Sequence, residues 1–136
     1  MWRPAPPSIR AAAAFEALAP EERAEAAVIG GNYGQAGALA LYGPRLGLPP
    51  VVSPAGSFWF FGPGDREGRV AVVVADSAEG AAALARLYAD VRAVRPAVAG
   101  AERRWVVPEE RRAWVFVARG GRAVLRDAWA GLAGRQ

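Results

Sequence analysis

The sequence predicts a three-layer α/β sandwich, in which helices cover both faces of a mostly parallel sheet. Short apolar runs typical of buried strands alternate with segments of helical periodicity along most of the chain. One such run, within 69–75, is an uninterrupted series of Val and Ala, which indicates a central strand covered on both faces. A strand, a glycine turn and a helix follow one another in 26–42, and this order is typical of Rossmann-like folds.

The strands are predicted at 26–29, 51–53, 69–75 and 113–118, and the helices at 34–42, 77–90 and 122–132. The residues expected to be almost fully buried are Val72, Val73, Val74, Val115 and Val117. Val91–Val98 is predicted to be an edge strand, because Pro96 cannot donate a hydrogen bond to a neighbouring strand. Residues 1–20 form an N-terminal arm and helix in this prediction, and residues 21–136 form a single α/β domain.

Three further helix features follow from local signals. Ser8 is expected to cap a first helix that extends to Leu18. In the helix after the glycine turn, the spacing of the apolar residues predicts that Ala40 lies on the buried face. Gly120-Gly121 is expected to turn the chain from the last strand into the last helix.

The composition excludes several kinds of chemistry within this chain. It contains no Cys, so there is no disulfide framework and no thiol chemistry. It also contains no His, which removes the commonest metal ligand and the commonest general base, and with them a Ser-His-Asp triad. No pair of carboxylates stands out for acid–base catalysis. We therefore predict no catalytic residue, no metal site and no cofactor.

The charge is unevenly distributed. All 17 basic residues are Arg; residues 1–85 have six Arg and eight acids, a net −2, whereas residues 86–136 have eleven Arg and five acids, a net +6. A basic half of this kind is typical either of a solvated surface or of a surface that contacts anionic lipid headgroups. Nucleic-acid binding is not predicted. No apolar run reaches the ~20 residues needed to span a bilayer, so the isolated chain is expected to be soluble.

The segment 28–65 is the best candidate for a functional region, because it holds nine of the sixteen glycines and a dense set of aromatic residues and prolines. Its glycine turn does not match the dinucleotide fingerprint G-x-G-x-x-G, and it lacks the Lys of a P-loop. Asn32 and Gln35 are amides near a helix N-terminus, suited to hydroxyl groups or an anion, although capping of the turn explains them equally well.

Four consecutive aromatic residues, 58–61, form the most unusual loop of the chain. They cannot all face one core in a regular element, so some of them either fold back over the sheet edge or form a sugar platform or a partner contact. Loops that leave parallel strands meet at the same sheet edge, which predicts one shallow groove. Its candidate ligand-binding residues are Asn32, Tyr33, Gln35, Ser57, Trp59 and Asp65. In an isolated domain the aromatic loop would also promote self-association.

Several short motifs carry a family resemblance. They are Asn32–Ala38, Tyr42–Pro44, Gly47–Pro49, Ser57–Trp59 and Gly62–Asp65, with a weaker match in Val115–Gly120, Leu125 and Trp129. This pattern resembles the C-terminal extracytoplasmic domain of bacterial family 39 (GT-C type) membrane glycosyltransferases, which are similar to protein mannosyltransferases and to the aminoarabinose transferases of lipid A. The resemblance extends over about 21–135.

The resemblance implies a non-catalytic domain of an enzyme that transfers a sugar from a polyprenyl-phosphate donor. Donor site and catalytic base lie in the membrane part of such enzymes, so the implied partners are that membrane domain and the lipid-linked sugar or its acceptor, on the extracytoplasmic side. Ser53–Gly56 departs from the family's Ser-Gly-His-Asn, so two polar residues of the loop are missing. The alternative is a free-standing α/β module that binds a small phosphorylated or glycosidic ligand; a third hypothesis is an interaction domain that uses the aromatic loop.

Overall fold

The computed structural model describes residues 7–31, 33–54, 62–75, 86–94 and 114–129. Its strands are β1 (Ala27–Gly30), β2 (Val51–Val52), β3 (Ala71–Ala75), β4 (Tyr88–Val94) and β5 (Trp114–Gly121). Its helices are α1 (Pro7–Glu16), α2 (Pro20–Glu25), α3 (Tyr33–Tyr42), a 3-10 helix (Gly43–Leu46) and α4 (Leu125–Ala128). The chain is thus a mixed α/β fold, as the alternation of strand and helix patterns predicts.

The five strands form one sheet in the order β2-β1-β3-β5-β4. β1 pairs in parallel with both β2 and β3, so the three strands share one direction. β5 runs antiparallel to β3 on one side and to β4 on the other. The expectation of a mostly parallel sheet is therefore correct for β1, β2 and β3, and wrong for β5, which reverses the chain direction between its two neighbours.

Two clusters of buried side chains lie on opposite faces of this sheet, because successive residues of a strand point to opposite sides. One cluster joins Val72 and Val74 of β3 to Phe15 of α1 and to Leu39 of α3. The other joins the intervening Val73 to Leu125 and Trp129 and to further residues of β1 and β5. All five valines that the sequence predicts to be buried are buried. Both faces of the central strands are consequently apolar, which explains their lack of alternation.

The predicted helix over 77–90 is wrong at its C-terminal end, where the structure has the strand β4. Within the described part of that range, Tyr88 to Asp90 belong to a strand, and they pair with β5 from Gly121 to Arg119. The apolar spacing that suggests a helix here also fits a strand, and the hydrogen bonds to β5 decide between the two. β4 lies at the edge of the sheet, as expected for a strand followed by Pro96. The other part of the predicted helix, 77–85, lies outside the described residues.

Three smaller expectations are also wrong. Ser8 lies inside α1 as its second residue rather than in front of it. Ala40 is exposed, because α3 turns Ala36, Leu39 and the following Gly43 toward the protein interior. β5 continues to Gly121, whose N–H donates to the carbonyl oxygen of Arg69 at 2.9 Å. Pairing with a neighbouring segment thus keeps the two glycines of the predicted turn in the strand.

No helix within the described ranges is both long enough and apolar enough to cross a bilayer. The longest of them, α1 and α3, have ten residues each, about half the length needed. Both pack on the sheet through Phe15 and Leu39.

Candidate functional site

The carboxyl edge is the place where the three parallel strands end, and it is marked by Gly30, Val52 and Ala75. From β1 the chain passes through α3 to β2 on one side of β1. From β3 it passes to β4, which lies on the side of β3 that faces away from β1, beyond β5. Connections that leave neighbouring parallel strands in opposite directions open a crevice between the two strand ends, and ligands of open α/β sheets bind there. Here that crevice lies between the ends of β1 and β3.

Two glycines set the width of this crevice. The N–H of Gly31 donates to the carbonyl oxygen of Val74 at 2.7 Å, and a Cβ at position 31 would lie 3.0 Å from the same oxygen. A Cβ at Gly30 would lie 2.6 Å from the Cα of Ala36, inside the first turns of α3. Glycine at both positions therefore lets the start of α3 lie directly over the end of β1 and beside β3.

The helix α3 places the positive end of its dipole at this edge. Tyr33 is its first residue, and Gln35, in the first turn, is partly exposed. Both are candidate ligand-binding residues, and both lie in the first turn of α3, shortly after the end of β1. Asn32, Ser57 and Trp59 lie outside the described residues, so their part of the groove stays a prediction.

Asp65, the sixth candidate, is exposed on the segment that leads back from β2 to β3. Just before it, a Cβ at Gly64 would lie 3.4 Å from a side-chain carbon of Val52. Just after it, the Arg66 guanidinium donates to the carbonyl oxygen of Ala26, which precedes β1. The chain at Asp65 is therefore already directed toward the opposite edge of the sheet.

Trp114 is a residue at the carboxyl edge that the sequence analysis does not identify. It is the first residue of β5 and lies opposite Ala75, the last residue of β3. Its side chain is 43% exposed, although it stacks on Phe116 with ring centroids 6.4 Å apart and an angle of 22° between the rings. Its position at the start of an apolar strand offers only a weak signal, since the register that brings it to this edge involves β3, far away in sequence.

At the amino edge, where β1 and β3 begin, charged side chains form hydrogen bonds with the backbone. Glu25, at the end of α2, accepts hydrogen bonds from the N–H groups of Arg69 and Val70, both at 3.0 Å. The Arg66 guanidinium donates to the carbonyl oxygens of Ala26 and Arg23. Carboxylate and guanidinium thus satisfy backbone groups that would otherwise be left at the end of α2 and the start of β3.

Tyr88 adds a buried hydrogen bond to the amino edge. Its hydroxyl donates to the carbonyl oxygen of Gly68 at 2.6 Å. Burial raises the pKa of the Tyr88 phenol well above its ordinary value, and the negative charge of Glu25 raises that pKa further. The group therefore stays a neutral donor at physiological pH, which is the form that this hydrogen bond requires.

An ion pair connects α2 to β5. The guanidinium of Arg119 donates to the carboxylate of Glu22 at 2.8 Å, and the same carboxylate accepts the N–H of Ala19 at 3.0 Å. These two bonds, that from Arg119 first, lower the pKa of the Glu22 carboxyl. The hydrogen bond to Glu22 likewise raises the pKa of Arg119, so this arginine of the basic half is neutralised within the chain.

Comparison of the chain with protein-family models, with curated proteins and with solved structures finds no match. The family resemblance therefore depends on the motif residues alone. Within the described residues, four of its glycines have a positive φ, a conformation that favours glycine: Gly47 (φ +80°), Gly62 (φ +79°), Gly64 (φ +72°) and Gly120 (φ +68°).

Proposed function

We propose that this chain is a non-catalytic binding domain whose site is the crevice at the carboxyl edge, between the ends of β1 and β3. The observation that carries the proposal is the topology: the connections from these two strands leave in opposite directions, and glycine at position 31 adds no side chain of its own where β1 and β3 end. Trp114 supplies an exposed aromatic ring at its rim. With neither His nor Cys in the chain, binding is better supported than chemistry.

The ligand that fits best is a lipid-linked sugar, or its acceptor, of a polyprenyl-phosphate-dependent membrane glycosyltransferase. The motif residues 32–65 favour this assignment, with the domain on the extracytoplasmic side and packed on the membrane domain of its parent enzyme. The positive end of α3 suits a phosphate, and the Trp114 ring suits an apolar sugar face or a prenyl chain. The exposed arginines of the basic half, among them Arg86 and Arg126, would then face anionic headgroups.

The proposal includes the three-layer, Rossmann-like arrangement that the sequence predicts. Support comes from the two apolar clusters: one face of the sheet packs on Phe15 of α1, and the other packs on Leu125 and Trp129.

Binding can be tested with vesicles that contain polyprenyl phosphate, against vesicles in which phosphatidylglycerol supplies the same charge. We expect the chain to bind the first more tightly, and we expect Trp114→Ala to weaken that binding about three- to tenfold. Leu41→Ala is the matched control, because it removes an apolar side chain that is 66% exposed at the far end of α3. Equal binding to both vesicles, or equal effects of the two variants, would contradict the proposal.

A free-standing module for small phosphorylated or glycosidic ligands is the second candidate function. It is favoured by the fact that both strand ends that border the crevice, those of β1 and β3, belong to this chain. Binding of soluble sugar phosphates in preference to polyprenyl-phosphate vesicles, again lost in Trp114→Ala, would select it. Transmembrane segments encoded upstream in the same reading frame would select the glycosyltransferase domain.

A further inference from the structure

β4 has a backbone edge that no strand of the described part of the chain covers. It is the last strand in the sheet order, and with seven residues it is much longer than β2, the two-residue strand at the opposite edge. The sequence Tyr88–Val94 contains neither Pro nor Gly. A regular edge strand of this length presents a row of N–H and C=O groups to which another strand can pair.

The charges on β4 are arranged symmetrically about its central residue, Val91. Asp90 and Arg92 flank it, and Ala89 and Ala93 follow on either side. If a second copy of the strand pairs antiparallel to the first about an axis through Val91, Asp90 of each copy lies opposite Arg92 of the other. Opposite charges on directly facing residues stabilise such a pair, and two small alanines face each other beside them.

The same charges disfavour the neighbouring registers. An antiparallel pair centred on residue 90 would place two aspartates opposite each other, and one centred on residue 92 would place two arginines opposite each other. Like charges that face each other across a strand pair are destabilising. The register centred on Val91 is therefore the one that the sequence of β4 favours.

The side chains involved are available for such a contact. Arg92 is 77% exposed and Asp90 is 45% exposed, and within one chain they form a 3.1 Å ion pair along the strand. An ion pair between exposed side chains contributes little to stability, so replacing it with contacts across an interface costs little free energy. Val91 points to the other face of the sheet, where it packs against the cluster that contains Phe116.

We propose that β4 is a homodimer interface, at which two copies of the chain pair antiparallel about a twofold axis at Val91. The two five-stranded sheets then form one continuous sheet across the dimer. This interface is separate from the candidate ligand crevice, since β5 lies between β4 and β3. It also involves other residues than the aromatic loop 58–61, through which the sequence predicts self-association.

The test is a charge-reversal experiment analysed by sedimentation velocity and light scattering. We expect the wild-type chain to form dimers whose dissociation constant rises with salt. Asp90→Arg gives a chain with two arginines on β4, and Arg92→Asp gives one with two aspartates. Each variant alone faces like charges in the dimer, so its dissociation constant should rise at least about tenfold.

A mixture of the two variants supplies the decisive result. In the mixed dimer every arginine on β4 faces an aspartate, so we expect heterodimers to form with an affinity close to that of the wild-type chain. The double variant Asp90→Arg/Arg92→Asp should likewise dimerise on its own. Arg45→Asp, which changes an exposed charge on the 3-10 helix by the same amount, is the control and should leave dimerisation unchanged.

Four results would overturn the proposal. A wild-type chain that stays monomeric up to about 100 µM would do so, since this corresponds to a binding free energy weaker than about −5.5 kcal/mol. Dimerisation that survives both single reversals would do so too, and loss of dimers in Trp59→Ala would assign them to the aromatic loop instead. A mixture of the two variants that fails to associate, although circular dichroism shows both to be folded, would exclude the twofold pairing at Val91.

Discussion

The amino and carboxyl edges of the parallel strands β1 and β3 differ in the hydrogen bonds that connect them to the rest of the protein. At the amino edge, Glu25, Arg66 and Tyr88 donate or accept hydrogen bonds that bind the strand starts to α2 and to β4. At the carboxyl edge, the backbone bond from Gly31 to Val74 joins the two strands, and a half-exposed Trp114 lies beside them. Under the proposed function, stability and binding are separated along the same strands. Substitutions at the amino edge should therefore cost the most stability, and those at the carboxyl edge should mainly affect binding.

Gly68→Ala should be the most destabilising change. The residue has φ +69°, and a Cβ there would lie 2.8 Å from the Cβ of Leu125, so the variant combines backbone strain with overpacking. We expect a loss of about 2–4 kcal/mol in the free energy of unfolding, measured by urea denaturation. Gly62→Ala is the matched control: its φ is +79°, but no atom lies within 4 Å of the added carbon. Equal losses in both variants would show that the amino edge is not tightly packed.

Tyr88→Phe tests the buried hydrogen bond of the amino edge. It leaves the carbonyl oxygen of Gly68 without its donor, so we expect a loss of about 1–2 kcal/mol at pH 7. Tyr42→Phe is the control, since that side chain is 50% exposed.

The pH dependence of stability in Tyr88→Phe provides a second test of the buried hydrogen bond. The pKa of Tyr88 is raised in the folded state, so the unfolded chain releases this proton first as the pH increases. The stability that Tyr88 contributes is complete below pH ~10 and then falls by about 1.4 kcal/mol per pH unit. This decrease should persist in Tyr42→Phe and be absent from Tyr88→Phe. A decrease of the same slope in both variants would contradict the burial of the phenol.

Gly31→Ala should have the smallest effect on stability and the clearest effect on binding. The added Cβ would lie 3.0 Å from the carbonyl oxygen of Val74 and 3.2 Å from Ala75, so β1 and β3 must separate slightly at the carboxyl edge. We expect a loss of about 1 kcal/mol in thermal denaturation, together with weaker ligand binding. Gly37→Ala, with no atom within 4 Å of the new carbon, should instead stabilise α3. A fully stable Gly31→Ala variant would show that the crevice is wider than the structure indicates.

The parts of the fold that depend on local composition could be predicted from the sequence. The valines of β3 are buried because an uninterrupted apolar run fits only a strand covered on both faces. The direction of β5 could not be predicted, since it is set by the path of a long connection and leaves no periodic signal. The sequence predicts a helix at Tyr88 because helical spacing and strand pairing fit the same residues, and only the partner strand β5 distinguishes the two.

Prediction of the candidate site from the sequence is limited in the same way. The glycine turn and the start of α3 lie where the strand–turn–helix pattern places them, because these elements are adjacent in sequence. Trp114 reaches the same edge through its pairing with Ala75, a contact between residues far apart in the chain. Long-range register therefore decides which aromatic residue borders the crevice, and the sequence directs attention to the loop 58–61 instead.

The position of β1 has a consequence for how the protein folds during synthesis. β1 is made early but pairs with β3 from Ala27 to Ala71, and β3 in turn pairs with β5 from Ala71 to Ala118. The sheet can therefore close only after most of the chain has left the ribosome, and pairings so distant in sequence form slowly. Until β5 is made, β3 lacks one of its two partner strands, and the nascent chain exposes an apolar strand edge of the kind that chaperones protect.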